Sequence, residues 1–371
     1  MAKPFSKHVR NVVSTTLAWI AAITLFAMVR LYGASGDGLY LLIPEESGIW
    51  IQILSLGFGL GATFGIIFGA LDTVKGILRN QPYWMTIVVR SAVHIILTLL
   101  IILSYLVLFH WIIGDQIAGN IVGMLKDTPF QKISFVLIIY TGFVSIIFNL
   151  IRQMNRMYGP GILYKLLIGK YHQPQEEERI FMFLDLKSST TYAERLGHVL
   201  YSELIQDCFQ DLTHAIEEHD VEVYQYVGDE AVLTWRMEDG LRNANCVKTF
   251  FTFDETIQKR ANYYFNKYDL VPAFKAGVNL GLVMVAEVGV VKKEIAYHSD
   301  VLNTAARIQG RCNEFKKQIL ITESLKERLE NEKDLLTEYV GNVALKGKEN
   351  RISIYSVSKK EQVEHSYEFA E

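Results

Sequence analysis

Residues 223–235 read VYQYVGDEAVLTW. Val223, Tyr224, Tyr226 and Val227 precede a Gly-Asp pair, and Val232, Leu233, Thr234 and Trp235 follow it. Two β-forming runs around a two-residue turn predict a tight hairpin with Gly228 and Asp229 at its tip. Gly-Asp is a common turn dipeptide whose carboxylate caps its own backbone. What else Asp229 does depends on what the chain folds against this hairpin.

Upstream, residues 179–190 read RIFMFLDLKSST. The pattern predicts a buried strand from Ile180 to Leu184, then Asp185, then a Ser/Thr cluster whose Ser188, Ser189 and Thr190 are N-capping types. They open a long helix running to about His219. A carboxylate at such a strand-to-helix junction lies beside free backbone N–H groups that hold phosphate, or serves only as a cap. Downstream comes a helix over about 240–268, then AFKAGVNLGLVMVAEVG (273–289), which alternates and is expected to turn at its glycines. Strand, helix, hairpin, helix, strand is the split βαβ or ferredoxin-like order, an α+β fold. In it the first strand and the hairpin are neighbours, so Asp185 and Asp229 converge. Two converging carboxylates beside a phosphate site suit Mg²⁺-assisted phosphoryl transfer.

Two further stretches carry candidates. In SDVLNTAARIQGRC (299–312), Asn303 and Arg307 are four apart on a predicted helix and share a face. A guanidinium there suits developing phosphate charge, or is an ordinary surface arginine. VALKGKENRISIYSV (343–357) predicts a strand, a turn with Lys346 and Gly347, and a last strand. Lys346 is either solvated or reaches a phosphate.

The chain has 371 residues, 50% of them hydrophobic, with the apolar ones crowded into the first 150 positions. That length suits about two domains. A net charge of -3 provides no footprint for nucleic acid. Cys208, Cys246 and Cys312 lie far apart without metal-ligand spacing, which argues against a disulfide framework or a structural zinc and fits a reducing cytosol. Four stretches, 11–31, 49–71, 84–113 and 130–151, are long and apolar enough to cross a bilayer, which takes about 20 residues of helix. Positive residues (Lys3, Lys7, Arg10; Lys75, Arg79; Arg152, Arg156, Lys165, Lys170) flank them on one side. The expected protein is therefore multi-pass in a cell membrane, with both termini and the second half cytoplasmic.

Gly57, Gly61, Gly65 and Gly69 recur every four residues, a close-packing face within the bundle or between copies. His94 and His110 invite a haem reading, but on one helix they stand about 24 Å apart at 1.5 Å per residue and cannot clamp one iron. The expected organisation is a four-helix transmembrane domain at 1–151, a linker or transducing element at 152–179, a catalytic domain at 180–358 and a tail at 359–371.

Taken together, FLDLKSST, YVGDEAV, AGVNLGLV, SDVLNTAAR and LKG, in this order over about 179–357, resemble the catalytic domain of class III nucleotidyl cyclases, the adenylyl and guanylyl cyclases. The resemblance implies that Asp185 and Asp229, helped by the Leu186 carbonyl, bind two Mg²⁺ or Mn²⁺ per active site. It implies that Asn303 orients the ribose, Arg307 stabilises the transition state and Lys346 holds the triphosphate, with Ser188, Ser189 and Thr190 in the phosphate loop. It also implies a head-to-tail homodimer with shared sites. Gln225 and Ala296 align with the base-reading positions but depart from both usual pairings. Glutamine can donate and accept, yet lacks the anionic acceptor expected for guanine, so ATP is the expected substrate with GTP as the alternative. Tyr297 or His298 takes the place of Ala296 if the alignment slips. A diguanylate cyclase would show a Gly-Gly-Asp/Glu-Glu-Phe tip and lack the Asn-x-x-x-Arg helix. A non-catalytic nucleotide-binding membrane receptor is the alternative from another class.

Overall fold

The computed structural model describes residues 7–33, 49–73, 82–113, 128–159, 161–329, 332–343 and 351–360. Lys346 and Gly347, the positive residues Lys3, Lys75 and Arg79 used for orientation, and the tail beyond 360 lie outside the described residues. The chain divides into two compact units, Met1–Met157 and Tyr158–Glu371.

The first unit is built from α1 (Lys7–Gly33), α2 (Ile49–Thr73), α3 (Tyr83–Ile113) and α4 (Thr128–Tyr158). Among the described residues three helices are long and apolar enough to cross a membrane, over Asn11–Val29, Trp84–Ser104 and Ser134–Asn155. The apolar part of α2 among the described residues is the shorter Gly57–Leu71, so three spans rather than four meet the length criterion. Trp19 organises the interior, its ring edge-on to Phe64 at 5.6 Å, Phe68 at 5.1 Å and Phe148 at 5.4 Å.

The glycine face of α2 lies against α1. A Cβ at Gly61 would stand 2.5 Å from the Ile20 Cα, and one at Gly65 2.3 Å from the Thr16 Cα. The seam is therefore packing within the bundle, where only a missing side chain permits the backbone approach. Gly65→Leu should cost about 3 kcal/mol through forced separation of the helices, whereas Gly59→Leu, where a Cβ meets nothing within 4 Å, should be tolerated. Unfolding of the full-length chain in mixed micelles would compare the two, and equal stabilities would contradict the packing role.

Between α3 and α4 runs a stripe of buried polar groups: Ser91, His94 and Thr98 on one helix, Thr141, Ser145 and Asn149 on the other. The His94 Nδ1 and Ser145 Oγ are 3.2 Å apart, and the Asn149 amide donates to Ser91 Oγ at 3.1 Å. The His94 ring also stacks on Phe68 at 4.1 Å. His94 is thus a satisfied interior histidine.

The second unit begins with a short helix, α5 (Ile162–Leu167), and continues as β1 (Gln175–Leu186), α6 (Ser189–Glu218), the hairpin β2 (Glu222–Val227) and β3 (Glu230–Arg236), α7 (Met237–Leu241), α8 (Asn245–Lys259), α9 (Ala261–Tyr268), β4 (Phe274–Val288), β5 (Glu294–His298), α10 (Asp300–Gly310), β6 (Ile319–Thr322), α11 (Glu323–Arg328), β7 (Leu335–Val343) and β8 (Ile352–Lys359). The strands form one sheet in the order β2-β3-β1-β4-β6-β8-β7, with β5 also paired to β4. Among the described strands only β4 and β6 run parallel. The first strand is antiparallel to β3, so it neighbours the hairpin as the ferredoxin-like order requires. Alternation along β1 feeds two cores. Ile180, Met182 and Leu184 pack with Leu204, Cys208 and Leu212 of α6 and Phe250 of α8, while Phe181 on the opposite face joins Val283, Val285 and Ala305 of α10.

Three expectations change. The stretch 274–288 is one continuous strand and does not turn at its glycines. Gly277 is there for close approach, since its Cβ would stand 2.4 Å from the Ala305 carbonyl oxygen of α10. The helix expected over 240–268 is broken into pieces, with Asn243 and Ala244 at positive φ ahead of α8. Ser188 precedes α6 in a left-handed conformation (φ 58°), and its side chain makes no capping hydrogen bond.

Candidate active site

The hairpin turn is two residues long, between Val227 and Glu230, with Gly228 at φ 61°. That conformation suits glycine and leaves Asp229 at the turn's second position. Asp185 sits near the end of β1, opposite Glu230 on β3 and Lys275 on β4. Sheet register therefore brings Asp185, Asp229 and Glu230 together, because the hairpin tip and the end of β1 lie at the same edge.

Electrostatics record the convergence. Burial raises the Asp185 carboxyl above its ordinary value and the charge of Asp229 adds to this, against the lowering effect of Lys275 and Gln309. Burial, then the charges of Asp185 and Asp229, push Glu230 up to about 7. Tyr201 of α6 stands in the same field: burial and the charge of Asp229 raise its phenol, and Ser189 is its hydrogen-bonding neighbour. Asp185 Oδ2 accepts from the Lys275 ammonium at 3.1 Å and from Gln309 Nε2 at 2.9 Å. Asp229 Oδ2 is buried and accepts no hydrogen bond from any described residue.

A buried carboxylate oxygen without a donor is costly unless a cation or a proton meets it. Two hard-oxygen ligands fit Mg²⁺ or Mn²⁺, which are ordinarily held by one or two carboxylates together with substrate phosphates. Among the described residues no group of three or more His, Cys, Asp or Glu side chains could hold a metal ion.

The crowding of acids has a stability consequence. Glu230 has a folded pKa above its unfolded one, so the folded chain holds a proton that the unfolded chain has lost over the interval between them. The preference for the folded state is complete below the unfolded value and is lost as pH rises through about 7. Without divalent ions, the thermal midpoint of the full-length chain should fall between about pH 5 and pH 8, and Glu230→Gln should flatten that fall. A pH-independent difference between the two proteins would contradict the assignment.

The remaining candidates occupy other places. Asn303 and Arg307 share the outer face of α10, exposed and half-buried respectively, and neither side chain makes a hydrogen bond or ion pair with another described residue. The helix is fixed on the sheet by other groups. Ser299 caps it by accepting from Val301 N and donates to the Leu282 carbonyl, while Asn279 donates to the Val301 carbonyl. Leu186 buries its side chain in the main core, which fixes the backbone next to Asp185. Ser188 and Thr190 are exposed and Ser189 is half-buried at the start of α6.

Gln225 is exposed on β2, directly after a register shift in its pairing with β3, and Ala296 pairs with Ala286 on β4. Their strands meet through their neighbours: Tyr224 and Tyr297 are edge-on at 5.0 Å, and both rings approach Phe181. The Tyr297 ring is held in this packing. Arg179 lies beneath it, fully buried, its guanidinium 5.0 Å from the ring. Arg179 Nε donates to Glu177 and Nη1 to Glu222, both at 2.9 Å, while Lys170 and Tyr171 also donate to Glu177. The residues just before the catalytic strands are thereby tied to the strands that carry Gln225 and Ala296.

Lys275, Gln309, Glu230 and Tyr201 were not read from the sequence. Glu230 follows Asp229 directly and was the one within reach of local reasoning. Lys275 needs the β1/β4 register, and Gln309 lies about 200° around α10 from Arg307 at 100° per residue.

A family model described as the adenylate and guanylate cyclase catalytic domain matches residues 171–359. Adenylate cyclase 2 of Rhizobium meliloti is 28% identical over 329 residues, covering 86% of this chain and 89% of that protein. An adenylate cyclase of Anabaena cylindrica is 25% identical over 184 residues, covering 47% of this chain and 36% of its own length. A solved adenylyl cyclase from P. aeruginosa aligns at 15% identity with a TM-score of 0.45, covering 51% of this chain and 97% of that one. With just over half of its length matched by the family model, and with paired acids at the end of the first strand and the hairpin tip, the chain belongs to the family of adenylate and guanylate cyclase catalytic domains.

Proposed function

We propose that the chain is a membrane-bound adenylyl cyclase that converts ATP to cyclic AMP and pyrophosphate at two sites shared across a homodimer. The observation that carries this reading is the meeting of Asp185 with Asp229, whose Oδ2 is buried without a donor among the described residues. The extent of the likeness to the Rhizobium meliloti adenylate cyclase, 86% of this chain, supports ATP and a shared overall plan.

Asp185 and Asp229, with the Leu186 carbonyl, would hold two Mg²⁺ or Mn²⁺ ions. When bound, these ions supply charge neutralisation on the triphosphate and acidify the ribose 3′-hydroxyl. The 3′-oxygen then attacks the α-phosphorus in line, an O–P bond forms, and the bond to the bridging oxygen breaks with release of pyrophosphate. Asn303 of one chain orients the ribose, and Arg307 of that chain donates to the charge growing on the phosphate held over the partner's aspartates. Lys346 binds the triphosphate, and the loop of Ser188, Ser189 and Thr190 presents backbone N–H groups to it. Gln225 reads the base, donating and accepting as adenine requires, with Ala296 contributing shape.

The transmembrane domain at 1–151 forms four spans, the short apolar part of α2 completing its crossing with flanking residues. The linker at 152–179 passes movements of the bundle to the catalytic domain at 180–358, which is cytoplasmic under the positive-inside rule.

The test is product formation by the purified full-length protein with Mg²⁺ or Mn²⁺, given ATP and GTP separately and in competition. Cyclic AMP is expected. Cyclic GMP would keep the mechanism and overturn the choice of base, and no product from a folded dimer would favour the nucleotide-binding receptor.

A further inference from the structure

Asp185 is held by two donors that the proposed chemistry leaves without a role. Both bind the same oxygen, Oδ2: the Lys275 ammonium at 3.1 Å and the Gln309 amide at 2.9 Å. They reach it from different elements, Lys275 from the paired position on β4 and Gln309 from the sheet-facing side of α10. Lys275 is largely enclosed, its side chain 13% exposed against 22% for Asp185, so the pair is not a solvated surface contact. Three carboxyl groups meet here, Asp185, Asp229 and Glu230, and Asp185 makes its one ion pair among the described residues with Lys275. The two donors differ in one respect that decides their effect: the lysine brings a full positive charge and the glutamine none.

We propose that Lys275 is the resident counter-ion of Asp185 and that an incoming divalent cation must compete with its charge, while Gln309 is the neutral positioning residue that keeps the carboxylate aimed as that competition proceeds. This inference rests on the assignment of Asp185 and Asp229 as metal ligands. An ammonium about 3 Å from one carboxylate oxygen repels any cation approaching the other, and the half-buried setting screens this repulsion less than water would. The lysine therefore weakens cation binding in the absence of nucleotide. It stabilises the empty site against the mutual repulsion of its acids and reserves tight binding for the cation that arrives with a triphosphate. The glutamine acts in the opposite sense: without its bond the carboxylate gains rotational freedom, and the site must order it again on binding.

The two donors thus predict shifts of opposite sign, which separates a charge role from a purely structural one. Mn²⁺ binding would be measured by electron paramagnetic resonance on the full-length chain in detergent at pH 8, where carboxylates are ionised, and without nucleotide. Asp185→Asn and Asp229→Asn define the site-specific part of the signal. Lys275→Met should bind Mn²⁺ about tenfold more tightly than the unaltered chain, Lys275→Arg should match it, and Gln309→Leu should bind about threefold more weakly. If Lys275→Met does not fold, Lys275→Gln carries the same prediction, since it removes the charge and keeps a donor. Unchanged or weaker binding in both neutral variants would overturn the counter-ion role while leaving the aspartates as ligands. Binding insensitive to both aspartate substitutions would remove the metal site itself and this inference with it.

Discussion

Arg307→Ala is expected to lower turnover about a thousandfold with little change in KM for the nucleotide, because a guanidinium aimed at developing phosphate charge acts chiefly in the transition state. The fold should be unaffected. The Arg307 side chain makes no hydrogen bond or ion pair with another described residue, and α10 is fixed by Ser299, Asn279 and the close approach at Gly277. Arg307→Lys should recover only part of the loss, since an ammonium supplies the charge without the planar pair of donors. The shared-site reading adds a sharper expectation. Arg307→Ala and Asp229→Ala chains are each inactive as homodimers, but a mixed dimer contains one site with both groups intact. Random pairing of equal amounts should restore about a quarter of normal activity. Co-expression of two differently tagged chains measures this directly. Failure of the mixture to exceed its inactive parents, with mixed dimers present, would place the arginine and the aspartate in the same chain's site.

Asp229→Asn is expected to abolish metal-dependent turnover without loss of stability. The carboxylate has one buried oxygen with no donor and lies in the field of Asp185 and Glu230, so it adds repulsion to the folded state when no cation is present. An amide of the same shape removes that charge. Turnover should fall at least a thousandfold with either Mg²⁺ or Mn²⁺, while the thermal midpoint of the metal-free chain stays level or rises. Adding Mn²⁺ should raise the midpoint of the unaltered chain and leave that of the variant where it was. A variant that unfolds would show Asp229 to be a structural turn residue. One that keeps its turnover would show that the metals lie elsewhere.

The sequence was most informative where a short-range rule fixed a position. A two-residue Gly-Asp turn between β-forming runs places a carboxylate at a hairpin tip, and the strand-helix-hairpin order places that tip beside the end of the first strand. Asp185 and Asp229 could therefore be paired before any coordinates. The same reasoning failed at Gly277, where an alternating strand contains a glycine for a reason that belongs to α10 and not to β4. It failed again at Lys275 and Gln309, because contacts with Asp185 across a sheet register and from a helix 124 residues away leave no local signature. Arg179 was read as the last residue of the linker, and its burial among Glu177, Glu222 and Tyr297 depends on three segments meeting. In the first unit the four-residue glycine spacing showed which face packs, and the partner, α1, emerged only from the structure.

The two ways of joining helices in that unit have unequal mechanical consequences. The α1/α2 contact is made by backbone shape, with Thr16 and Ile20 seated where side chains are missing, so any slide along it meets a steric wall. The α3/α4 contact is made by hydroxyl, imidazole and amide groups that can trade partners in place: His94 with Ser145, Asn149 with Ser91. One pair is stiff and the other compliant. A load applied to the bundle should therefore be taken up first as a small shear between α3 and α4, while α1 and α2 move as one body.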